Sequence, residues 1–122
     1  MADIAVDFGV LAKSGNLRSF KAGDVIFNEG EPGHEMFVIQ SGCVEIRRGN
    51  RVLGTLQEKS IFGEMALIDD APRSATAVAA TDVNLVLVGE KQFLFLVSET
   101  PFFSLNVMRT LVRRLRASNE TM

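Results

Sequence analysis

The start of a short helix and an arginine that lies close to it in the sequence could bind an anion. Gly63 and Glu64 open a short run of good helix formers, and Arg73 directly follows the proline that ends the next loop. The first N–H groups of a helix and the positive end of its dipole attract anions. Gly63 lets a ligand approach the backbone because it has no Cβ, and an arginine offers a planar fork of donors. We therefore predict an anion site between Gly63 and Arg73.

Glu64 predicts a second half of this site. A carboxylate is a hydrogen-bond acceptor, so beside a bound phosphate its natural partner is a hydroxyl group. One anion and one hydroxyl, held by a short helix and by a residue that begins a strand, describe a ribose phosphate. Taken singly, Arg73 would be a surface arginine at a strand start, and Glu64 an exposed helix-cap carboxylate. Their occurrence together with Gly63 and Pro72 favours the ligand site.

The segment 61–76 resembles the phosphate-binding cassette of the cyclic nucleotide-binding domain family. The two matching runs are Phe62-Gly63-Glu64-Met65-Ala66-Leu67 and Pro72-Arg73-Ser74-Ala75-Thr76. The resemblance implies that Glu64 binds the ribose 2′-hydroxyl and Arg73 the cyclic phosphate, with backbone N–H groups completing the phosphate cradle. The binding residues that it implies in this segment are Phe62, Gly63, Glu64, Met65, Ala66, Arg73, Ser74 and Ala75.

The first half of the chain carries further matches to the same family. They are Gly23, Ile26-Phe27, Gly30-Glu31, Gly33, Met36-Phe37-Val38-Ile39 and Gly42. His34 departs from the family pattern, in which an acidic residue is more usual, and we expect it to lie in an exposed loop.

Length, charge and cysteine content limit the classes of protein. A chain of 122 residues forms one domain, 1–122. A net charge of −2 argues against charge-driven binding to nucleic acid or to an acidic membrane. No apolar run approaches the roughly 18 residues of a membrane span, and no signal-peptide pattern is present. The single cysteine, Cys43, fits a reducing compartment, so we predict a cytoplasmic protein.

Hydrophobic periodicity predicts a mainly β fold with flanking helices. Residues 1–20 have apolar positions at roughly helical spacing, which predicts a short N-terminal helix. Short β-favouring runs separated by turn signals then indicate an all-β sandwich or barrel over 21–89. The runs are 25–27, 36–39, 44–46, 52–56, 75–80 and 85–88. The family resemblance implies an eight-stranded jelly-roll barrel that contains the cassette helix.

Residues 90–119 are predicted to be helical. Phe93, Leu94 and Val97 form one short amphipathic segment, and a second helix carries one apolar stripe. The stripe consists of Leu105, Met108, Leu111, Val112 and Leu115. In the family this region closes over the nucleotide base as a lid and often forms a dimer interface. We predict that Arg114 caps the base by stacking.

The residues favour a binding domain over an enzyme or a DNA-binding protein. No nucleophile–base pair, carboxylate dyad or metal cluster can be assembled from the sequence, and Asp69-Asp70 are interpreted as solvated loop residues. No recognition helix fits between the last predicted helix and Met122. We therefore predict a cyclic nucleotide receptor with no metal or other cofactor.

Its ligand is predicted to be cAMP, with cGMP left open because Ser74 carries a hydroxyl group. The C-terminal helix is expected to contact a second copy or a protein effector. The alternatives are an interaction module that no longer binds nucleotide, and a regulatory subunit whose effector is a separate chain.

Overall fold

The computed structural model describes residues 16–68, 72–99, 104–105 and 107–113. The described residues contain eight strands, two short helices and a further helical stretch, 104–105 and 107–113, here termed the C-terminal segment. The strands are β1 Asn16–Phe20, β2 Val25–Phe27, β3 Glu35–Ser41, β4 Val44–Arg48, β5 Arg51–Leu56, β6 Ile61–Phe62, β7 Thr76–Ala79 and β8 Val83–Gly89. The helices are α1 Met65–Ile68 and α2 Glu90–Glu99.

The strands form two antiparallel four-stranded sheets, with the orders β1-β8-β3-β6 and β2-β7-β4-β5. Strands distant in sequence become neighbours, as when β3 pairs along its length with β8, from Glu35 opposite Gly89 to Ser41 opposite Asn84. The predicted jelly-roll barrel is confirmed, and each of the six β runs predicted from the sequence overlaps a strand.

Side chains that alternate along β3 and β8 build two apolar clusters, one on each face of their sheet. Phe37 and Ile39 contribute to a cluster that also contains Val44 and Ala77 of the second sheet, so this cluster fills the space between the sheets. Met36 and Val38 point to the opposite face, because successive residues of a strand face opposite ways. Strands buried on both faces explain why these runs are continuously hydrophobic.

The second cluster is covered by helical residues. Val107 is buried in it beside Met36, Val38, Ile61, Val86 and Val88. Leu67 of α1, Phe93 of α2 and Leu111 of the C-terminal segment pack against it as well. The cassette helix and the two C-terminal elements therefore share one hydrophobic contact region.

The prediction of a helical segment over 1–20 is wrong for its last five residues, which form β1. This strand pairs with β8, from Asn16 opposite Leu87 to Phe20 opposite Val83. The roughly helical spacing of apolar positions in 1–20 was misleading at its end, since pairing with a distant strand overrides a weak local preference. The remainder of that prediction, residues 1–15, lies outside the described residues.

The predicted apolar stripe of the last helix does not form one face on the barrel. Leu111 packs on the core, whereas Met108 and Val112 are exposed, and the buried positions are Val107 and Thr110. On α2, Phe93 packs inward but Leu94 and Val97 are exposed. A helix places about 100° between neighbours, so the face that docks is chosen by the sheet beneath it. Leu115 lies outside the described residues.

Candidate functional site

Gly63 turns the chain from β6 into α1. Its backbone has a φ of +77°, in the left-handed region that favours glycine. The Ala66 N–H donates to the Gly63 carbonyl oxygen at 3.3 Å, and the Leu67 N–H donates to that of Glu64 at 3.1 Å. These bonds close the single turn that the sequence predicted. They also engage the Ala66 N–H, one of the donors proposed for the phosphate cradle.

The backbone of Arg73 is held by the loop between β2 and β3. The Gly30 N–H donates to the Arg73 carbonyl oxygen at 2.7 Å, and the Arg73 N–H donates to that of Glu31 at 2.8 Å. The sequence predicted that Arg73 begins a strand. This prediction is wrong, because β7 starts only at Thr76. The loop that contains Arg73 is therefore held by two backbone hydrogen bonds to Gly30 and Glu31, and not by pairing within a sheet.

The guanidinium of Arg73 connects the cassette to the start of β3. Nη1 donates to the Gly63 carbonyl oxygen at 3.1 Å, and Nη2 donates to that of Glu35 at 3.0 Å. Nε is buried and makes no hydrogen bond with the described residues. A guanidinium has one N–H on Nε and two on each Nη. Nε and the second N–H of each Nη are therefore not engaged by these two bonds.

Two phenylalanine rings and two glycines surround this guanidinium. Its central carbon lies 4.3 Å from the centroid of the Phe27 ring and 5.5 Å from that of Phe37. A Cβ added at Gly33 would overlap Nε and Cζ of Arg73, and one added at Gly63 would lie 2.8 Å from Nη1. The side chain is therefore held by stacking and by close glycine contacts, as well as by hydrogen bonds.

Arg73 and Glu64 are both buried, at 6% and 0% exposure. The interpretations of Arg73 as a surface arginine and of Glu64 as an exposed cap are therefore wrong. Burial lowers the pKa of Arg73 below its ordinary value, while the carboxylates of Glu35, Glu31 and Glu64 oppose that shift, in decreasing order. A buried cation surrounded by carboxylates remains protonated at neutral pH. Arg73 therefore offers donors for an anion, and the carboxylate of Glu64 offers an acceptor for a hydroxyl group.

A cavity of about 260 Å³ lies beside Arg73. Its walls come from β1, β2, the following loop and β3, and include Arg18, Phe27, Glu31, His34 and Phe37. His34 is exposed, as predicted from its loop position. The cavity beside the guanidinium is therefore lined by basic and acidic side chains together.

The other predicted site residues have different surroundings. Phe62 is a core residue, whose ring stacks on Phe37 with centroids 5.0 Å apart. Met65 and Ser74 are exposed and Ala75 is buried. The Ser74 carbonyl oxygen accepts a hydrogen bond from Nε of Arg48 at 3.2 Å. Arg114 lies outside the described residues.

The sequence reasoning did not assign Phe27, Gly33, Glu35 and Phe37 to the site. Three of them, Phe27, Gly33 and Phe37, stand in the stretch that resembled the family, which was the available signal. Their contact with Arg73 depends on the fold, because the chain between Phe37 and Arg73 crosses both sheets. Within the part of the chain that the structure describes, no group of three or more His, Cys, Asp or Glu side chains could hold a metal ion. No helix there is long and apolar enough to cross a membrane.

The sequence model of the cyclic nucleotide-binding domain matches residues 17–100, which contain both sheets and Arg73. The chain belongs to this family. A cAMP-dependent protein kinase regulatory subunit of Hypocrea atroviridis is 37% identical to this cyclic nucleotide-binding domain over 76 residues, 62% of the chain and 16% of the relative. The cyclic AMP receptor protein of Thermus thermophilus is 34% identical over 107 residues, 84% of the chain and 50% of the relative.

A solved structure from work on a cyclic-GMP-dependent signalling pathway that regulates bacterial phytopathogenesis has the same fold. It superposes on this cyclic nucleotide-binding domain with a TM-score of 0.83 and 28% identity, over 95% of this chain and 98% of that one. The two curated relatives are much longer, since the chain spans half of one and about a sixth of the other. Both are named as regulatory or receptor proteins.

Proposed function

We propose that this domain is a cytoplasmic receptor for a cyclic nucleotide, with cAMP as its preferred ligand, and that it acts by binding rather than by catalysis. The observation that carries the proposal is the buried guanidinium of Arg73 between Gly33 and Gly63, with the carboxylate of the buried Glu64 near enough to oppose the lowering of the Arg73 pKa. A buried cation on the loop held by Gly30 and Glu31, and a buried carboxylate directly before α1, suit one anion and one hydroxyl. The lone cysteine, Cys43, supports the cytoplasmic assignment.

In this proposal Arg73 binds the cyclic phosphate through the donors that its two backbone contacts leave. Glu64 accepts a hydrogen bond from the ribose 2′-hydroxyl. Backbone N–H groups near Gly63, Met65 and Ser74 contribute to the phosphate cradle. The three carboxylates near Arg73 disfavour anions in general, so a ligand that also offers a hydroxyl group gains selectivity from Glu64.

Binding would be transmitted through the apolar cluster shared by the helices. Leu67 of the cassette helix and Leu111 of the C-terminal segment pack against the same buried residues. A shift of α1 on ligand binding would therefore change the surface on which the C-terminal segment rests, and so shift its population between two positions. The output would be a contact with a second copy or with a separate effector.

A second candidate ligand is cGMP. The 28% identity with the structure from the cyclic-GMP-dependent pathway, over nearly the whole of both chains, favours it. Ser74, which follows Arg73, is exposed and carries a hydroxyl that could bond to a guanine amino group.

A different candidate function is an interaction module that binds no nucleotide. The two backbone contacts of Arg73 favour it, because they already use two of its donors.

Calorimetric titration of the 122-residue chain with cAMP and with cGMP tests the proposal. We expect cAMP to bind with a micromolar or lower Kd, about −8 kcal/mol. Arg73→Ala and Arg73→Lys should each weaken binding by at least about 1 to 3 kcal/mol, the lysine because it lacks the planar fork. Arg51→Ala removes an exposed arginine as the control. If neither nucleotide binds the unmodified chain, the proposal fails and the interaction module is favoured.

A further inference from the structure

We infer that the tip of the β4–β5 hairpin positions the loop of the anion site, so that Arg48 and Glu29 raise ligand affinity as positioning residues. The inference rests on the proposed function for its effect on affinity. It depends on a set of hydrogen bonds that joins three segments distant in sequence: the hairpin tip 48–51, the loop 28–31 and the loop 73–76.

The first connection runs from the hairpin to the residue after Arg73. Nε of Arg48 donates to the Ser74 carbonyl oxygen at 3.2 Å. The strands place Arg48 there, because β4 pairs with β7, with Arg47 opposite Thr76. The hairpin has Arg48 opposite Arg51, and Gly49, the first residue of its turn, has a φ of +61°. A type II′ turn requires that sign at that position, so the direction of the tip is well defined.

The second connection runs through Glu29. Its Oε1 accepts a hydrogen bond from the Gly49 N–H at 3.3 Å, and its own N–H donates to Oγ1 of Thr76 at 2.9 Å. The next two residues of this loop make the two backbone bonds to Arg73 already described. The three segments therefore form a closed ring of contacts, and the two ends of the Arg73 loop are both tied to it.

This ring matters because the loop of Arg73 is irregular and partly exposed. Residues 72–75 belong to no strand, and Pro72 and Ser74 are exposed. An irregular segment that is ordered before the ligand arrives does not lose that freedom on binding, so affinity rises. Removing a contact of the ring should loosen the loop and lower affinity, although the Arg73 side chain remains present.

The test compares two arginines of the same hairpin. Arg48→Ala and Arg51→Ala each remove one positive charge near the tip, but of the two only Arg48 donates to the Ser74 carbonyl within the described part of the chain. We expect Arg48→Ala to weaken cAMP binding about threefold to tenfold, the scale of a lost hydrogen bond. Arg51→Ala should change it less than about twofold. Glu29→Ala should act like Arg48→Ala, and Glu29→Gln, which keeps an acceptor oxygen, should restore most of the affinity.

Amide hydrogen exchange measured by NMR on the unliganded chain separates this inference from the proposed function. The amides of Gly30 and Arg73 should exchange several-fold faster in Arg48→Ala than in Arg51→Ala or the unmodified chain. Equal exchange rates in the two variants overturn the inference, and so does an equal loss of affinity, which would indicate a long-range charge effect. If the unmodified chain binds neither cAMP nor cGMP, the proposed function falls together with the affinity effect, and the exchange rates alone decide whether Arg48 positions the loop.

Discussion

The guanidinium carbon of Arg73 lies 4.3 Å from the centroid of the Phe27 ring. Arg73 belongs to the loop after the cassette helix, and Phe27 is the last residue of β2. Phe37 adds a second ring at 5.5 Å. This contact fixes the side chain from one face, while the Gly63 and Glu35 carbonyls fix two of its nitrogens. An arginine held in this way is pre-organised for an anion, since little of its freedom remains to be lost.

Phe27→Leu should weaken both the fold and the site. A cation–π contact contributes about 0.5 to 2 kcal/mol, so we expect a loss of roughly 1 kcal/mol in the free energy of unfolding and a fall in cAMP affinity of about threefold to tenfold. Urea denaturation and calorimetry measure the two effects. Phe20→Leu is the control, because Phe20 packs against the same core cluster and lines the same cavity. Equal affinities of the two variants would contradict the role of the Phe27 ring.

Gly33→Ala should disrupt the position of the Arg73 side chain. The added Cβ would overlap the guanidinium, which is tied to two carbonyl oxygens and must leave them to make room. We expect cAMP affinity to fall by about tenfold or more, and the free energy of unfolding to fall by about 1 kcal/mol. Gly89→Ala is the matched control, since its Cβ would meet nothing within 4 Å. Unchanged affinity in Gly33→Ala would mean that the ligand does not use the guanidinium in this position.

Glu64→Ala should remove the discrimination between cAMP and its 2′-deoxy analogue, because it deletes the acceptor. A hydrogen bond to a charged group contributes about 1.5 to 3 kcal/mol, so the unmodified chain should bind 2′-deoxy-cAMP about tenfold to a hundredfold more weakly than cAMP. In the variant this difference should shrink strongly, because a shared contact makes the two changes non-additive. If calorimetry gives the same ratio of affinities in both proteins, Glu64 does not bind the 2′-hydroxyl.

Val107→Ala should destabilise the protein, whereas Met108→Ala should not. Val107 is 3% exposed in the cluster beneath the C-terminal segment, and its neighbour Met108 is 55% exposed. Burial of a valine contributes about 1.5 to 3 kcal/mol, while a surface change stays within about 0.5 kcal/mol. Urea denaturation with a common m value measures the difference. Equal stabilities would show that the segment does not rest on the barrel in solution.

Local sequence determined the cassette and most of the strands. A glycine at position 63 and one turn of helix formers are signals that act over a few residues, and they form the short helix that the sequence predicted. The proline before Arg73 is also a local signal, but the strand that it predicted begins only at Thr76. The short β runs and their turns were also local. For that reason the family and the barrel could be predicted from the sequence.

The tertiary structure decided which of these residues are buried and which faces meet. Asn16–Phe20 became a strand because β8 offers an unpaired edge. Arg73 became a buried side chain because Phe27 of β2, Gly33 of the following loop and Phe37 of β3 converge on it. Leu111 faces the core and Met108 faces solvent because the outer surface of β3 and β8 selects the face that docks. These outcomes depend on contacts between residues distant in the chain. Such contacts form only when the chain folds, so no short stretch of sequence predicts them.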